Sequence, residues 1–255
     1  MKLPVDEMRG FLDEKFKEYN TKSFIKDDPV QVPHLYSLKE DIEIAGFLAA
    51  TIAWGKRSMI IKNAHKMMDL LGNSPYDFVM THTSSQLDRF EGFVHRTFNS
   101  TDFVFFIESL KNIYQNHGGL EEIFKKYQTE DSLQNAISEF HKIFFEIPHL
   151  PRTTKHVANP KKGSVAKRIN MFLRWMIRKD NIGVDFGLWK ISPSKLSCPL
   201  DVHTGNIARE LGLINAKQNS KKALNELDTN LRILDSEDPV KYDYALFGLG
   251  VYGDF

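Results

Sequence analysis

The chain has 255 residues, 42% hydrophobic and 26% charged, with one cysteine and a net charge of +1. These values suit a folded globular chain of one large domain or two modest ones, and they exclude disordered, collagen-like and coiled-coil classes. The single cysteine, Cys198, rules out an internal disulfide framework, a four-cysteine zinc site and a cysteine-ligated iron–sulfur cluster.

In chain order, Val5 to Tyr19 reads as an amphipathic helix with Met8, Phe11, Leu12 and Phe16 on one face. A loop with Asp28-Pro29, Pro33 and His34 follows. Asp41 to Trp54 is apolar almost all round, which predicts a central buried helix stopped by Gly55. Ser58 to Leu71 is the next helix, closed by Gly72, and Ser74-Pro75 caps another that starts at Tyr76. Ser100 to Asn116 has Phe103, Phe106, Ile107, Leu110 and Tyr114 at helical spacing and ends before Gly118-Gly119. Helices over Leu120 to Tyr127 and Ser132 to Phe145 follow, and Pro148 and Pro151 break the chain. Ser164 to Arg178 is long and amphipathic. A loop with Gly183, Gly187, Trp189 and Pro193 leads to Pro199. Val202 to Leu211, Lys221 to Leu234 and Pro239 to Phe247 complete the set. The expectation is an all-α fold of ten or more helices.

The longest apolar stretch, Ile44 to Trp54, is too short for a bilayer core of about 30 Å. The N-terminus lacks the apolar run of a secretory signal. A cytoplasmic protein with no membrane partner is expected.

Charge is unevenly placed. Between Pro151 and Asp180 there are nine basic residues and one acid, a balance of +8, so the remainder carries −7. Such concentration marks either a polyanion-binding face or a solvated basic helix. Lys161, Lys162, Gly163 and Ser164 open the predicted helix, and a Gly-Ser turn there would offer backbone N–H groups to a phosphate. Val165, Ile169, Phe172, Leu173 and Met176 form its apolar stripe. Lys167, Arg174 and Arg178 fall on a different face, with Arg168 beside them. Asp201 sits at the start of the helix from Val202, where a carboxylate caps the first turn. Phosphate-binding, dinucleotide, zinc-protease and nucleophile-elbow signatures are all absent. Asp201 and His203 alone do not make a metal site, so no metal is expected.

Two segments carry a resemblance together. Gly163-x-x-x-Lys167 opening an amphipathic helix, then Pro199-Leu200-Asp201-Val202-His203 and an arginine-bearing helix, resembles the helix-hairpin-helix DNA glycosylase superfamily. That superfamily includes endonuclease III and the archaeal oxidised-guanine glycosylases. The segments FLAATIAWGKRSMIIKNAHKMMDLLG, FNSTDFVFFIESLKNIYQNHGGL and DPVKYDYALFGLGVYGDF resemble further parts of it. The FLRWM and DPVKYDYALFGLGV phrases also resemble an uncharacterised bacterial family, a domain of unknown function. Where the superfamily's hairpin reads L-P-G-V-G, this chain keeps Gly163 with Pro160 upstream, and 34 residues separate Lys167 from Asp201.

The resemblance implies an all-α architecture of two helical subdomains with a cleft between them. One subdomain takes 1–37 and 191–255; the other, barrel-like, takes 38–190. It further implies a DNA-repair glycosylase with lyase activity toward a damaged, oxidised base. Lys167 would be the nucleophile that forms a Schiff base, and Asp201 would stabilise the sugar cation. Lys161, Lys162, Gly163, Ser164, Arg168, Arg174, Arg178 and His203 would contact nucleic acid. Trp54, Lys56 and Arg57 would line the base pocket or act as a wedge, with Trp175 and Trp189 as further aromatic candidates. The partner would be double-stranded DNA, bound by a monomer without a cofactor. Two other readings remain open: a nucleic-acid-binding protein of the same fold with lost or altered chemistry, and a helical interaction protein that meets an acidic partner.

Overall fold

The computed structural model describes residues 1–253. Asp254 and Phe255, the end of the last resembling segment, lie outside the described residues. Thirteen α-helices run in order among the described residues: α1 (Val5–Tyr19), α2 (Lys22–Asp27), α3 (Lys39–Thr51), α4 (Arg57–Leu70), α5 (Pro75–Thr81), α6 (Ser84–Leu87), α7 (Ser100–Asn116), α8 (Leu120–Tyr127), α9 (Gln134–Phe144), α10 (Lys167–Ile177), α11 (Val202–Glu210), α12 (Lys221–Leu234) and α13 (Tyr242–Tyr252). Short 3₁₀ turns join them. The one sheet described is an antiparallel hairpin of β1 (Val94–His95) and β2 (Phe98–Asn99), with Val94 opposite Asn99. The fold is all-α. No helix of the described residues is long and apolar enough to cross a membrane.

The chain divides into two compact units. The first comprises residues 1–24, 128–135 and 159–255. Its core joins Met8 and Leu12 of α1, Ile207 and Ala208 of α11, Leu224, Leu227 and Leu231 of α12, and Leu246 and Leu249 of α13. Helices α1 and α13 approach closely: a Cβ on Gly248 would stand 2.2 Å from the Tyr19 ring. Gly250 likewise lies against His203. These glycines explain why α13 continues to Tyr252 instead of ending at Phe247. Glycine has poor helix propensity, but here its missing side chain lets neighbouring elements close up.

Residues 159–190, expected in the barrel-like part, belong to this first unit. Two arginines account for that placement. Arg174 pairs with Asp243, and Arg178 pairs with Asp238 at 2.9 Å, both across long sequence separations.

The start of α10 also differs from expectation. The helix begins at Lys167 and not at Ser164. Pro160–Lys162 forms a separate 3₁₀ turn, capped by the Asn159 side chain at the Lys161 N–H and ended by Gly163 at φ 84°. The Ser164 hydroxyl then accepts the Ala166 N–H at 3.1 Å in a local turn. Ala166 adopts the left-handed region, φ 49°, before the helix starts.

The second unit comprises residues 25–127 and 136–158. Its centre is α3, buried from Ile42 through Thr51. Phe47 stacks on Phe106 at 5.7 Å and meets Phe140 and Phe144 edge-on at 5.5 and 5.3 Å. Such aromatic pairs contribute about 1 kcal/mol each beyond their buried area. Buried charges here are partnered, as burial demands. Glu43 accepts the Tyr114 hydroxyl at 2.7 Å and pairs with Lys39 at 3.0 Å. Asp102 closes a capping box at the start of α7 and also receives Arg152 and Thr153.

Candidate active site

Lys167 is the first residue of α10, and Asp201 is the N-cap of α11. Both helices lie in the first unit. The Lys167 Nζ stands 3.8 Å from the Asp201 Oδ2, with 28% and 21% of the two side chains exposed. At 3.8 Å the ion pair is a loose one, and Asp201 serves the fold chiefly as the cap of α11, a role worth about 1 kcal/mol that asparagine also fills.

Asp201 is fixed from several directions. Its Oδ1 accepts the Thr204 N–H at 3.0 Å, satisfying one of the first-turn donors of α11. Its carbonyl accepts from the Gly205 N–H and from the Asn219 side chain at 2.6 Å. Arg209 in turn donates to Asn219 at 2.6 Å and to the Ala216 carbonyl at 2.8 Å. Gly205 makes this crossing possible, because a Cβ there would come within 2.5 Å of the Asn219 Oδ1. One carboxylate oxygen is therefore committed to the helix, and the other faces the lysine.

Behind the pair lies a buried charged layer. Arg174 donates to Asp243 in the first turn of α13 and to Asp185 at 3.3 Å, and its guanidinium lies 4.2 Å from the Tyr244 ring centre. The Cys198 thiol donates to the other oxygen of Asp243 at 3.5 Å, and its backbone N–H donates to Asp228 at 2.9 Å. Burial raises the Asp243 carboxyl, with Arg174 acting against that rise. Burial likewise pushes the Cys198 thiol well above its ordinary range and the Asp228 carboxyl up to about 6.

The expected nucleic-acid contacts divide sharply. Lys161, Lys162 and Gly163 are exposed on the turn before α10, and Ser164 is half-buried. His203 is exposed, one ring nitrogen lying 3.1 Å from the Gly250 carbonyl. Arg168 is half-buried, and burial lowers its guanidinium to about 10, which leaves it cationic at neutral pH. Arg174 and Arg178 are not surface groups. They are 4% and 2% exposed and are engaged by Asp243, Asp185, Asp180 and Asp238. The expectation that they face a phosphate backbone is corrected by that burial: Asp180 and Asp185 follow Arg178 within a few residues, but Asp238 and Asp243 come from far along the chain, so a local charge count does not reveal how fully the two arginines are engaged.

Trp54, Lys56 and Arg57 belong to the second unit. Trp54 is half-buried, edge-on to His95 at 5.0 Å, and Lys56 is exposed. Trp175 and Trp189 are core residues, 0% and 3% exposed. Sequence reasoning missed Asn219, Arg209 and Asp243. An acid in a first turn reads as an ordinary complement to the helix dipole, and no local pattern ties Asn219 to Asp201. Among the described residues, no group of three or more His, Cys, Asp or Glu could hold a metal ion.

No curated protein and no solved structure matches the chain. A family model covers residues 28–252, a span that contains Lys167, Asp201 and Asp243. The chain belongs to that family, described as protein of unknown function (DUF2400).

Proposed function

We propose that the chain is a DNA glycosylase with lyase activity toward a damaged, oxidised base, using Lys167 as nucleophile and Asp201 as electrostatic stabiliser. The observation that supports this reading is the 3.8 Å approach of the Lys167 amine to a capped, partly exposed Asp201 carboxylate. The target nucleotide leaves the stack at a cost of a few kcal/mol. The neutral amine attacks the sugar C1′. The base departs with the electron pair of the glycosidic bond, and a lysine N–C1′ bond forms. The Asp201 carboxylate offsets the positive charge that develops on the sugar. Opening of the sugar ring gives a protonated imine. Loss of a C2′ proton then expels the 3′ phosphate and nicks the strand.

Borohydride reduces such an imine to a stable amine, so trapping tests the reading directly. Wild type is expected to form a covalent adduct with duplexes holding an oxidised purine or an abasic site. Lys167→Ala should form none while binding the same DNA. Asp201→Asn keeps the cap but loses the charge, so it should fold normally with base excision down by roughly 100-fold or more. No wild-type adduct across oxidised, deaminated and abasic substrates, or an adduct that survives Lys167→Ala, would overturn the assignment. DNA binding that persists in that case would leave a binding protein of altered chemistry.

A further inference from the structure

The turn that delivers Lys167 to α10 is held in an uncommon way. Ala166, the residue before the lysine, is 1% exposed and lies in the left-handed region at φ 49°, which a residue with a Cβ rarely adopts. It is also the N-cap, and it gives the helix no side-chain hydrogen bond. The turn is held instead from within α10. The Asn170 side chain reaches back, its Nδ2 donating to the Val165 carbonyl at 3.0 Å, while its backbone N–H donates to the Ala166 carbonyl at 2.9 Å. Its Oδ1 accepts from the Gln134 side chain at 3.2 Å, and the residue is 1% exposed. Ser164 takes the Ala166 N–H, and Val165 packs against the apolar core of the first unit. One buried residue thus ties down both positions that precede Lys167. Asparagine is a poor helix former, and a buried amide is tolerated only with its partners in place, so helix formation alone would not select it here. Strained backbone of this kind persists where its neighbours over-determine it, and it clusters at functional sites.

We infer that Asn170 is a positioning residue for Lys167, its side chain fixing the turn from which the lysine reaches Asp201. The inference rests on reading Lys167 as the reactive amine. Asp201 is held by a different set of groups, the Thr204 N–H and the Asn219 side chain. The 3.8 Å gap between lysine and aspartate therefore depends on where α10 starts and on the direction in which its first residue leaves the backbone. Residues 164–166 set both. A first-turn side chain leans toward the chain that precedes the helix, so any shift of that turn is carried to the Lys167 amine. Attack on a sugar carbon needs reacting atoms about 3–3.5 Å apart, and a misplacement of about 1 Å can cost roughly 100-fold in rate. Gln134 acts one step further out. By donating to the Asn170 Oδ1 it keeps the amide turned so that its N–H aims at Val165.

The test compares full-length wild type with Asn170→Ala by two measurements on DNA and one without it. Borohydride trapping on an abasic duplex, with protein in excess, gives the single-turnover rate of imine formation. A duplex holding a tetrahydrofuran analogue, which cannot form an imine, gives the affinity. Asn170→Ala is expected to slow trapping by roughly tenfold to 100-fold while binding the analogue within about twofold of wild type. A residue that served stability alone would leave the trapping rate of folded protein unchanged. Should Asn170→Ala fail to fold, Gln134→Ala removes one partner of the same amide and should slow trapping in the same direction by less. Hydrogen exchange of the peptide spanning 164–170 needs no DNA. It is expected to quicken in the variant, with the peptides of α11 unchanged. Unchanged exchange there in a folded variant would overturn the inference, and so would trapping and affinity that fall together. Quickened exchange in a chain whose wild type forms no adduct would sink the glycosylase reading and leave the hold of Asn170 on the Lys167 turn intact. An adduct-forming wild type with an equal trapping rate in the folded variant would do the reverse.

Discussion

Asp201 and Asp228 are both carboxylates in the same helical unit, yet their surroundings give them opposite duties. Asp201 is partly exposed, capped and set against a lysine. Asp228 is buried, its Oδ1 accepting the Cys198 N–H, and its carboxyl is raised to about 6 by burial, against the hydrogen bonds it accepts from Cys198 and Ser197. A carboxyl that holds its proton more tightly when folded adds stability that is full below about pH 4 and lost as pH rises through about 6. Asp228→Asn should therefore exceed wild type in stability above pH 6, by about 2–3 kcal/mol at pH 8, and match it below pH 4. Urea midpoints of both proteins across pH 4 to 8 check this, and an offset that does not change with pH would contradict it. At this scale the sequence reveals residue types and their spacing. Asp201 is legible because it precedes an evident helix. Asp228 looks like any polar residue on an amphipathic helix, and Asp243 like an ordinary acid at a helix start, since what buries them comes from elsewhere in the chain.

Helix boundaries were legible wherever a local signal sets them. Ser100 to Asn116 is found as expected, because Asn99 caps its start with a capping box. Lys221 to Leu234 is also as expected, with Ser220 at its N-cap and Leu224, Leu227, Leu231 and Leu234 on the buried stripe. The misses come from elements whose ends are set by tertiary contact. The start of α10 is displaced to Lys167 by the 3₁₀ turn at Pro160 and the left-handed Ala166. The hairpin of β1 and β2 is two residues per strand, too short for any alternation to show. Helix α13 runs through Gly248 because α1 needs the space. Gly248→Ala should cost about 1–3 kcal/mol by driving a methyl group into the Tyr19 ring. The loss should shrink when Tyr19→Ala is added, since contacting sites are not additive. Equal losses from Gly248→Ala in the two backgrounds would show that the close approach is not what the glycine serves.

Over the whole molecule, the all-α class follows from periodicity alone, whereas the division into units does not. Residues 159–190 join the unit holding both termini through Arg174 and Arg178, and those ion pairs leave no trace in a reading of local charge. The same burial narrows the basic face. With Arg174 and Arg178 engaged inside, Lys161 and Lys162 are the exposed cations on the 3₁₀ turn that leads into α10. If they meet a DNA backbone, changing both to Glu should weaken duplex binding irrespective of sequence and flatten the log–log salt dependence by about two phosphate contacts. An unaltered salt slope would move the footprint elsewhere. The central claim is that Lys167 is the amine that reacts. It is tested most directly by trapping wild type with borohydride on abasic duplex, digesting the adduct and locating the modified residue by mass spectrometry. The account predicts the DNA remnant on Lys167. A remnant on Lys161, Lys162 or the N-terminal amine, or no remnant at all, would contradict it.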